Sequence, residues 1–428
     1  MKYFSLNQRA PKVSFKDAVI NGLAPDKGLY FPENIIPLNR NFLSNLEAYS
    51  NEDIAFEVIQ QFIGVEIPET DLRHIIQDTI SFDFPVKTIN NRIGTLELFH
   101  GPTMAFKDVG ARFMARCLRY FNTNQNQKVT VLVATSGDTG GAVAHGFLNV
   151  DGVEVVILYP SQKVSAIQEK QLTTLGNNIT ALEVEGTFDD CQDMVKTAFL
   201  DSDIKGNLTS ANSINIARWL PQMFYFFFAY KQLYKQHKNI VFSVPSGNFG
   251  NICAGLLAQK LGLPIRHFIA STNINDTVPK YMENGDYIVK ASQSTLSNAM
   301  DVGNPSNFIR ILQLFNNDFE SLKSMLSSYS FSDNNTKMAM EEVYKNYNYI
   351  MDPHGAIGYL GLTTYGLKSD DYGIFLETAH PIKFKKTVEA TLTISLEIPN
   401  QIETIMDKEK KSITISHYDQ LKKHLNDH

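Results

Sequence analysis

Lys107 lies in the segment His100-Gly101-Pro102-Thr103-Met104-Ala105-Phe106-Lys107-Asp108, between an apolar shoulder and an aspartate, where a helical pattern begins. A lysine amine condenses with an aldehyde only when neutral, and burial drives it towards that form. Met104, Ala105 and Phe106 offer an apolar wall for such burial. Taken alone, the residue reads better as a lysine whose stem packs while its amine reaches water. Phe15-Lys16-Asp17 repeats the Phe-Lys-Asp triplet without the His-Gly-Pro-Thr lead-in, and Lys16 reads as a surface lysine.

Two turns give Lys107 its context. Gly247, Asn248, Phe249, Gly250 and Asn251 join an apolar run at 240–244 to a helical pattern. Glycines let backbone N–H groups converge on one point, and a helix start adds a field that favours an anion. The segment is either a phosphate cradle or a tight strand-to-helix turn with nothing bound. It is neither a P-loop, since no Gly-Lys-Ser/Thr follows, nor GxGxxG. Thr135-Ser136-Gly137-Asp138-Thr139-Gly140-Gly141 is a similar turn that could hold a carboxylate, or could simply cap the helix after it. An amine with two such turns points to a covalently held carbonyl cofactor bearing a phosphate, pyridoxal phosphate. In Asn212-Ser213-Ile214-Asn215-Ile216-Ala217-Arg218, the segment by itself favours an ion-paired Arg218 at a helix start over a phosphate clamp. Thr378 could face a ring nitrogen, and His354 and His380 read as structural because no metal-ligand spacing accompanies them.

The elements that must position these residues are legible as a rhythm. After Lys107, Val109, Phe113, Cys117 and Phe121 recur every four residues with Met114 and Leu118, an amphipathic helix. Continuous apolar runs at 129–134, 153–158, 240–244 and 374–376 alternate with helical stretches. That pattern marks parallel sheets covered on both faces, whose sites lie at the carboxyl ends of the strands. All the turns named above sit at such ends.

Composition sets limits. A chain of 428 residues implies two or three domains, and 43% hydrophobic with 20% charged residues is ordinary for a soluble globular protein. A formal net charge of -6 argues against a nucleic-acid surface, and Lys383-Phe384-Lys385-Lys386 reads as a solvated helix face. Cys117, Cys191 and Cys253 are widely spaced, which argues against disulfides and zinc and for buried thiols in a reducing cytoplasm. The aromatic run 223–230 is too short to span a bilayer and reads as a buried helix.

Together these segments resemble the threonine synthase family, in the form with an extra N-terminal domain. The resemblance rests on Gly22-Leu23-Ala24, Gly28-Leu29-Tyr30-Phe31-Pro32, the stretches 100–116, 134–145, 212–218 and 245–251, Ser297-Asn298-Ala299-Met300-Asp301 and Thr378-Ala379-His380-Pro381. It implies two parallel-sheet α/β domains of the tryptophan-synthase-β type with the cofactor between them, plus an N-terminal α+β domain. The expected division is 1–98 for the N-terminal domain, 99–130 with 205–428 for the large cofactor-binding domain, and 131–204 for the small domain.

The resemblance further implies that Lys107 forms the internal aldimine of pyridoxal 5'-phosphate, that Gly247, Asn248, Phe249, Gly250 and Asn251 cradle the cofactor phosphate, and that Thr378 meets the pyridine nitrogen. Ser136, Gly137, Asp138 and Thr139 match the turn near the substrate carboxylate. Ser213 and Arg218 match positions holding the substrate phosphate, which reverses the preference for an ion-paired Arg218, with Lys163 as a helper. Gln162 stands where relatives often carry glycine. The implied reaction converts O-phospho-L-homoserine and water to L-threonine and phosphate, in a cytoplasmic monomer or homodimer with no metal, nucleic-acid or membrane partner. A phospholyase or a hydroxy-amino-acid dehydratase of the same fold is the rival enzyme. A catalytically dead relative is the rival from another class, but it would be expected to lose Lys107 or the turns.

Overall fold

The computed structural model describes residues 1–122 and 128–427. Two sheets organise it. The larger has the strand order Leu326–Ser330, His267–Thr272, Asn239–Pro245, Asp371–Glu377, Ile93–Glu97, Val86–Asn90. Its neighbours run parallel except for the hairpin of Val86–Asn90 against Ile93–Glu97. The smaller runs Ile413–Ile415, Ile179–Val184, Val153–Pro160, Val129–Ala134, Asn207–Ser210, all parallel. His267–Thr272 and Asp371–Glu377 are buried along their whole length. The apolar run read at 374–376 lies inside the second of these, as expected of a strand covered on both faces.

A two-stranded antiparallel ribbon, Tyr3–Ser5 with Tyr30–Pro32, lies with the helices Asn51–Ile63 and Glu69–Thr79 in the N-terminal part. The helix Lys107–Asn122 buries Val109, Phe113, Met114, Cys117, Leu118 and Phe121, the stripe its spacing demanded. At Gly110 an added Cβ would lie 2.5 Å from the Arg218 carbonyl oxygen, so glycine lets this helix meet the Ile216–Trp219 helix backbone to backbone. The aromatic run forms the helix Phe224–Leu233. Phe226 meets Phe242 and Phe268 edge-on at 5.2 and 5.8 Å, so the run packs on the large sheet. Among the described residues no helix is long and apolar enough to cross a membrane.

The sheets redraw the expected division in three places. Val86–Asn90 and Ile93–Glu97, assigned to the N-terminal domain, belong to the large sheet. Val129–Ala134 and Asn207–Ser210 carry the small sheet beyond 131–204 at both ends. Ile413–Ile415, assigned to the large domain, pairs with Ile179–Val184 at the small sheet's edge, and the helix Tyr418–Asp427 packs Leu421 and Leu425 into that core. An edge strand of three residues with two exposed side chains leaves no apolar run to read. Leu421→Ala is therefore expected to destabilise the protein by about 2–5 kcal/mol in urea unfolding, as a buried leucine does; a loss under about 1 kcal/mol would place this helix outside the core.

Candidate functional site

The Lys107 segment is shaped by its own polar residues. The Asp108 carboxylate accepts from the Thr103 N–H (2.9 Å) and the Thr103 hydroxyl (2.6 Å), closing the turn that starts the helix. At Gly101 a Cβ would lie 2.5 Å from an Asp108 oxygen, which explains the glycine. The Phe106 N–H donates to the Thr378 carbonyl (2.9 Å) and the His380 N–H to the Met104 carbonyl (3.1 Å). These two bonds lash the segment to the carboxyl end of Asp371–Glu377 and set Lys107 beside Thr378. The Lys107 side chain is 17% exposed. Burial pushes its amine below the usual lysine range; Asp138 opposes that, while Lys383 and Arg218 reinforce it.

Each turn has its own organiser. The Thr135 hydroxyl accepts from the Gly137 (3.0 Å) and Gly140 (2.8 Å) N–H groups, folding the chain into the helix Asp138–Phe147. Gly137 has φ 137°, and a Cβ there would meet Gln168 at 2.4 Å. The buried Asp138 carboxylate takes Lys383 Nζ at 2.6 Å and Gln168 Nε2 at 3.0 Å on one oxygen, and faces Lys107 Nζ at 3.8 Å with the other. Although burial opposes ionisation, the two lysines hold it well below the usual carboxylate range. In the second turn Phe249 has φ 62°, and a Cβ on Gly247 would lie 2.5 Å from the Ala299 carbonyl oxygen. The helix Gly250–Lys260 opens directly after it.

One cavity gathers Lys107, Ser136, Asp138, Thr139, Ser213, Arg218, Gly247, Asn248, Phe249, Gly250, Asn251 and Thr378. Two predicted residues stay outside its lining. Gly137 shapes the turn from behind. Lys163 is exposed, between Gln162, which has φ 58°, and Ser165, which caps the helix Ala166–Thr173. Arg218 is not the ion-paired helix start that its segment alone favours. Its Nη1 donates to the Ala211 carbonyl, while its buried Nε has no acceptor, and burial pulls the guanidinium down to about 10. Asn251 Nδ2 is a second buried donor without an acceptor.

Sequence reasoning missed two residues. Lys383 is not on a solvated face; it is 1% exposed and its ammonium also donates to the Thr103 carbonyl at 2.9 Å. Its neighbours Pro381, Ile382 and Phe384 were the signal for burial, masked by Lys385 and Lys386. His354 lines the cavity, with Nδ1 2.6 Å from Asp352 and Nε2 accepting the Ala299 N–H at 3.3 Å. His380 caps the turn Pro381–Phe384 as a structural residue would. Among the described residues no group of three or more His, Cys, Asp or Glu could hold a metal ion.

Residues 93–371 match the pyridoxal-phosphate dependent enzyme family, residues 2–80 the threonine synthase N terminus and residues 356–425 the threonine synthase C-terminal family. Threonine synthase of Escherichia coli strain K12 is 44% identical over 405 residues, covering 94% of each chain. The chain belongs to the threonine synthase family. Threonine synthase of Buchnera aphidicola from Baizongia pistaciae is 46% identical over 406 residues, again covering 94% of each chain. The crystal structure of the Escherichia coli threonine synthase superposes with a TM-score of 0.94 at 42% identity, covering 100% of both chains. A PLP-bound threonine synthase from Brucella melitensis gives 0.93 at 32%, covering 100% and 99%. A threonine deaminase from Solanum lycopersicum, at 14% identity and a TM-score of 0.57, shares the fold alone.

The cofactor of this family member is pyridoxal phosphate, and the residues fit it. A shielded amine, two buried donors without acceptors and a glycine turn crowded against backbone meet in one cavity. Gly247→Ala forces a Cβ into the Ala299 carbonyl, an overpacking that costs about 1–3 kcal/mol. Cofactor affinity, measured by fluorescence titration of the apoprotein, is expected to fall about tenfold or more; unchanged affinity would remove the cradle from the cofactor site.

Proposed function

We propose that this chain converts O-phospho-L-homoserine and water to L-threonine and inorganic phosphate, a carbon–oxygen lyase reaction on a phosphate ester. The observation that carries the reading is Arg218, a buried guanidinium whose Nε lacks an acceptor, in the same cavity as Lys107 and the turn 247–251. With that turn given to the cofactor phosphate, Arg218 is left for a second phosphate, which serine or threonine would not bring. Ser213 lines the same cavity.

When bound, pyridoxal phosphate supplies the electron sink that makes carbon–hydrogen bonds next to the substrate amine acidic. Lys107 would hold it, and its amine would serve as the base for the substrate Cα proton. Its burial favours the neutral amine that such a base requires. The hydroxyls of Ser136 and Thr139 and the N–H groups of their turn hold the substrate carboxylate. The Asp138 side chain does not, because its charge is committed to Lys383. Thr378, after the strand end in the cavity lining, would offer the ring nitrogen a neutral hydroxyl in place of a carboxylate. Arg218 and Ser213 hold the phosphate as it leaves Cγ and keep it near Cβ, where water adds. No nucleic-acid or membrane partner is required, and a cytoplasmic monomer or homodimer suffices.

Purified protein incubated with O-phospho-L-homoserine is expected to give threonine and phosphate in equal amounts by chromatography. Phosphate with 2-oxobutanoate in place of threonine would make it a phospholyase. Arg218→Ala removes a buried charged hydrogen-bonding group worth about 2–5 kcal/mol. Its kcat/KM should fall about a hundredfold or more, and a loss below tenfold would move the substrate phosphate elsewhere.

A further inference from the structure

The Asp138 carboxylate stands between two lysines, and only one of them is bonded to it. Lys383 Nζ lies 2.6 Å from Oδ1, which also takes Gln168 Nε2 at 3.0 Å. Lys107 Nζ lies 3.8 Å from Oδ2, too far for a hydrogen bond. The same Lys383 ammonium reaches the Thr103 carbonyl at 2.9 Å, four residues ahead of Lys107 in the lead-in. Thr103 in turn is fixed by Asp108, the residue after Lys107. One fully enclosed ammonium thus grips both the carboxylate opposite Lys107 and the turn that carries it.

We propose that Lys383 is a positioning residue for Lys107: by neutralising Asp138 and tethering Thr103, it keeps Lys107 available as a free nucleophilic amine instead of an ammonium locked to Asp138. The inference rests on the reading of Lys107 as the cofactor anchor. Lone Asp138 would draw a proton onto Lys107, because opposite charges a few ångströms apart in a desolvated site favour the charged form. Lys383 cancels that attraction and adds repulsion of its own. The other charged groups around the amine are few. Arg218, from the helix Ile216–Trp219, repels a second cation, and Asp352, ahead of the helix Pro353–Tyr365, attracts one weakly. Asp301 lines the cavity with its carboxyl pushed up to about 6 by burial, and burial and the neighbouring Asp352 push Glu377, the residue before Thr378, well above the usual carboxylate range. His354 points its nitrogens at Asp352 and Ala299.

The test is the pH dependence of covalent cofactor uptake by the full-length apoprotein, read as the growth of yellow absorbance after adding pyridoxal phosphate. In that step the Lys107 nitrogen adds to the aldehyde carbon, and the aldehyde oxygen leaves as water. The free cofactor is common to all variants, so differences in the rate midpoint belong to the protein. Lys383→Met should move the midpoint up by about one pH unit or more, and Lys383→Arg should bring it back towards the original. A folded Lys383→Met with an unmoved midpoint would overturn the proposal. If Lys383→Met does not fold, Asp138→Asn is compared with the double variant Asp138→Asn, Lys383→Met. The single variant, which keeps the Lys383 charge unopposed, should have a midpoint lower by about one unit, and equal midpoints would overturn the proposal. Absence of uptake by the unaltered protein would instead refute Lys107 as the anchor.

Discussion

The structure turns on a buried ion pair between Lys383 and Asp138, 2.6 Å apart, with Lys383 enclosed and Asp138 at the edge of the cavity. Desolvating two charges is expensive, and such a pair persists only where geometry and further hydrogen bonds repay the cost. Here they do: Gln168 serves the carboxylate and the Thr103 carbonyl serves the ammonium. The partners come from different sheets. Asp138 opens the helix after the small-sheet strand Val129–Ala134, and Lys383 lies in the turn after the large-sheet strand Asp371–Glu377. The bond therefore joins the carboxyl ends of both sheets at the point where the reactive lysine must stand.

That constraint gives the remaining parts their places. The Lys107 lead-in is lashed to the large sheet through Thr378 and His380, and its helix meets Arg218 across Gly110. The turn 247–251 ends a third strand and faces the same space. An amine that is to work as nucleophile and base needs low dielectric, but not a carboxylate that would hold it as an ammonium. Enclosure by Phe106, Thr378 and the two turns supplies the first condition. The prior claim of Lys383 on Asp138 supplies the second.

The sequence made much of this legible for identifiable reasons. Val129–Ala134, Asn239–Pro245 and Asp371–Glu377 are enclosed on both faces, so their apolar runs survive in the chain as text. Lys107 and the turns 135–141 and 247–251 are local in sequence, so type and spacing carry them. What depended on contacts between distant segments was not legible. Lys383 sits 245 positions after Asp138, inside a run of lysines whose other members face outward. Arg218 shows its unpaired nitrogen only once the cavity exists. Lys163 matched a motif position, but it is exposed and outside the cavity lining. The strand Ile413–Ile415 is too short and too exposed to announce its sheet.

Two lysines flank the Asp138 carboxylate, and Lys107, which lines the cavity, is the one that would carry the cofactor. Reduction of the yellow holoenzyme with borohydride, followed by peptide mapping by mass spectrometry, decides between them. A pyridoxyl group on Lys107, with Lys383 unmodified, is the predicted result. The group on Lys383, or on any lysine outside the 100–108 segment, would contradict it.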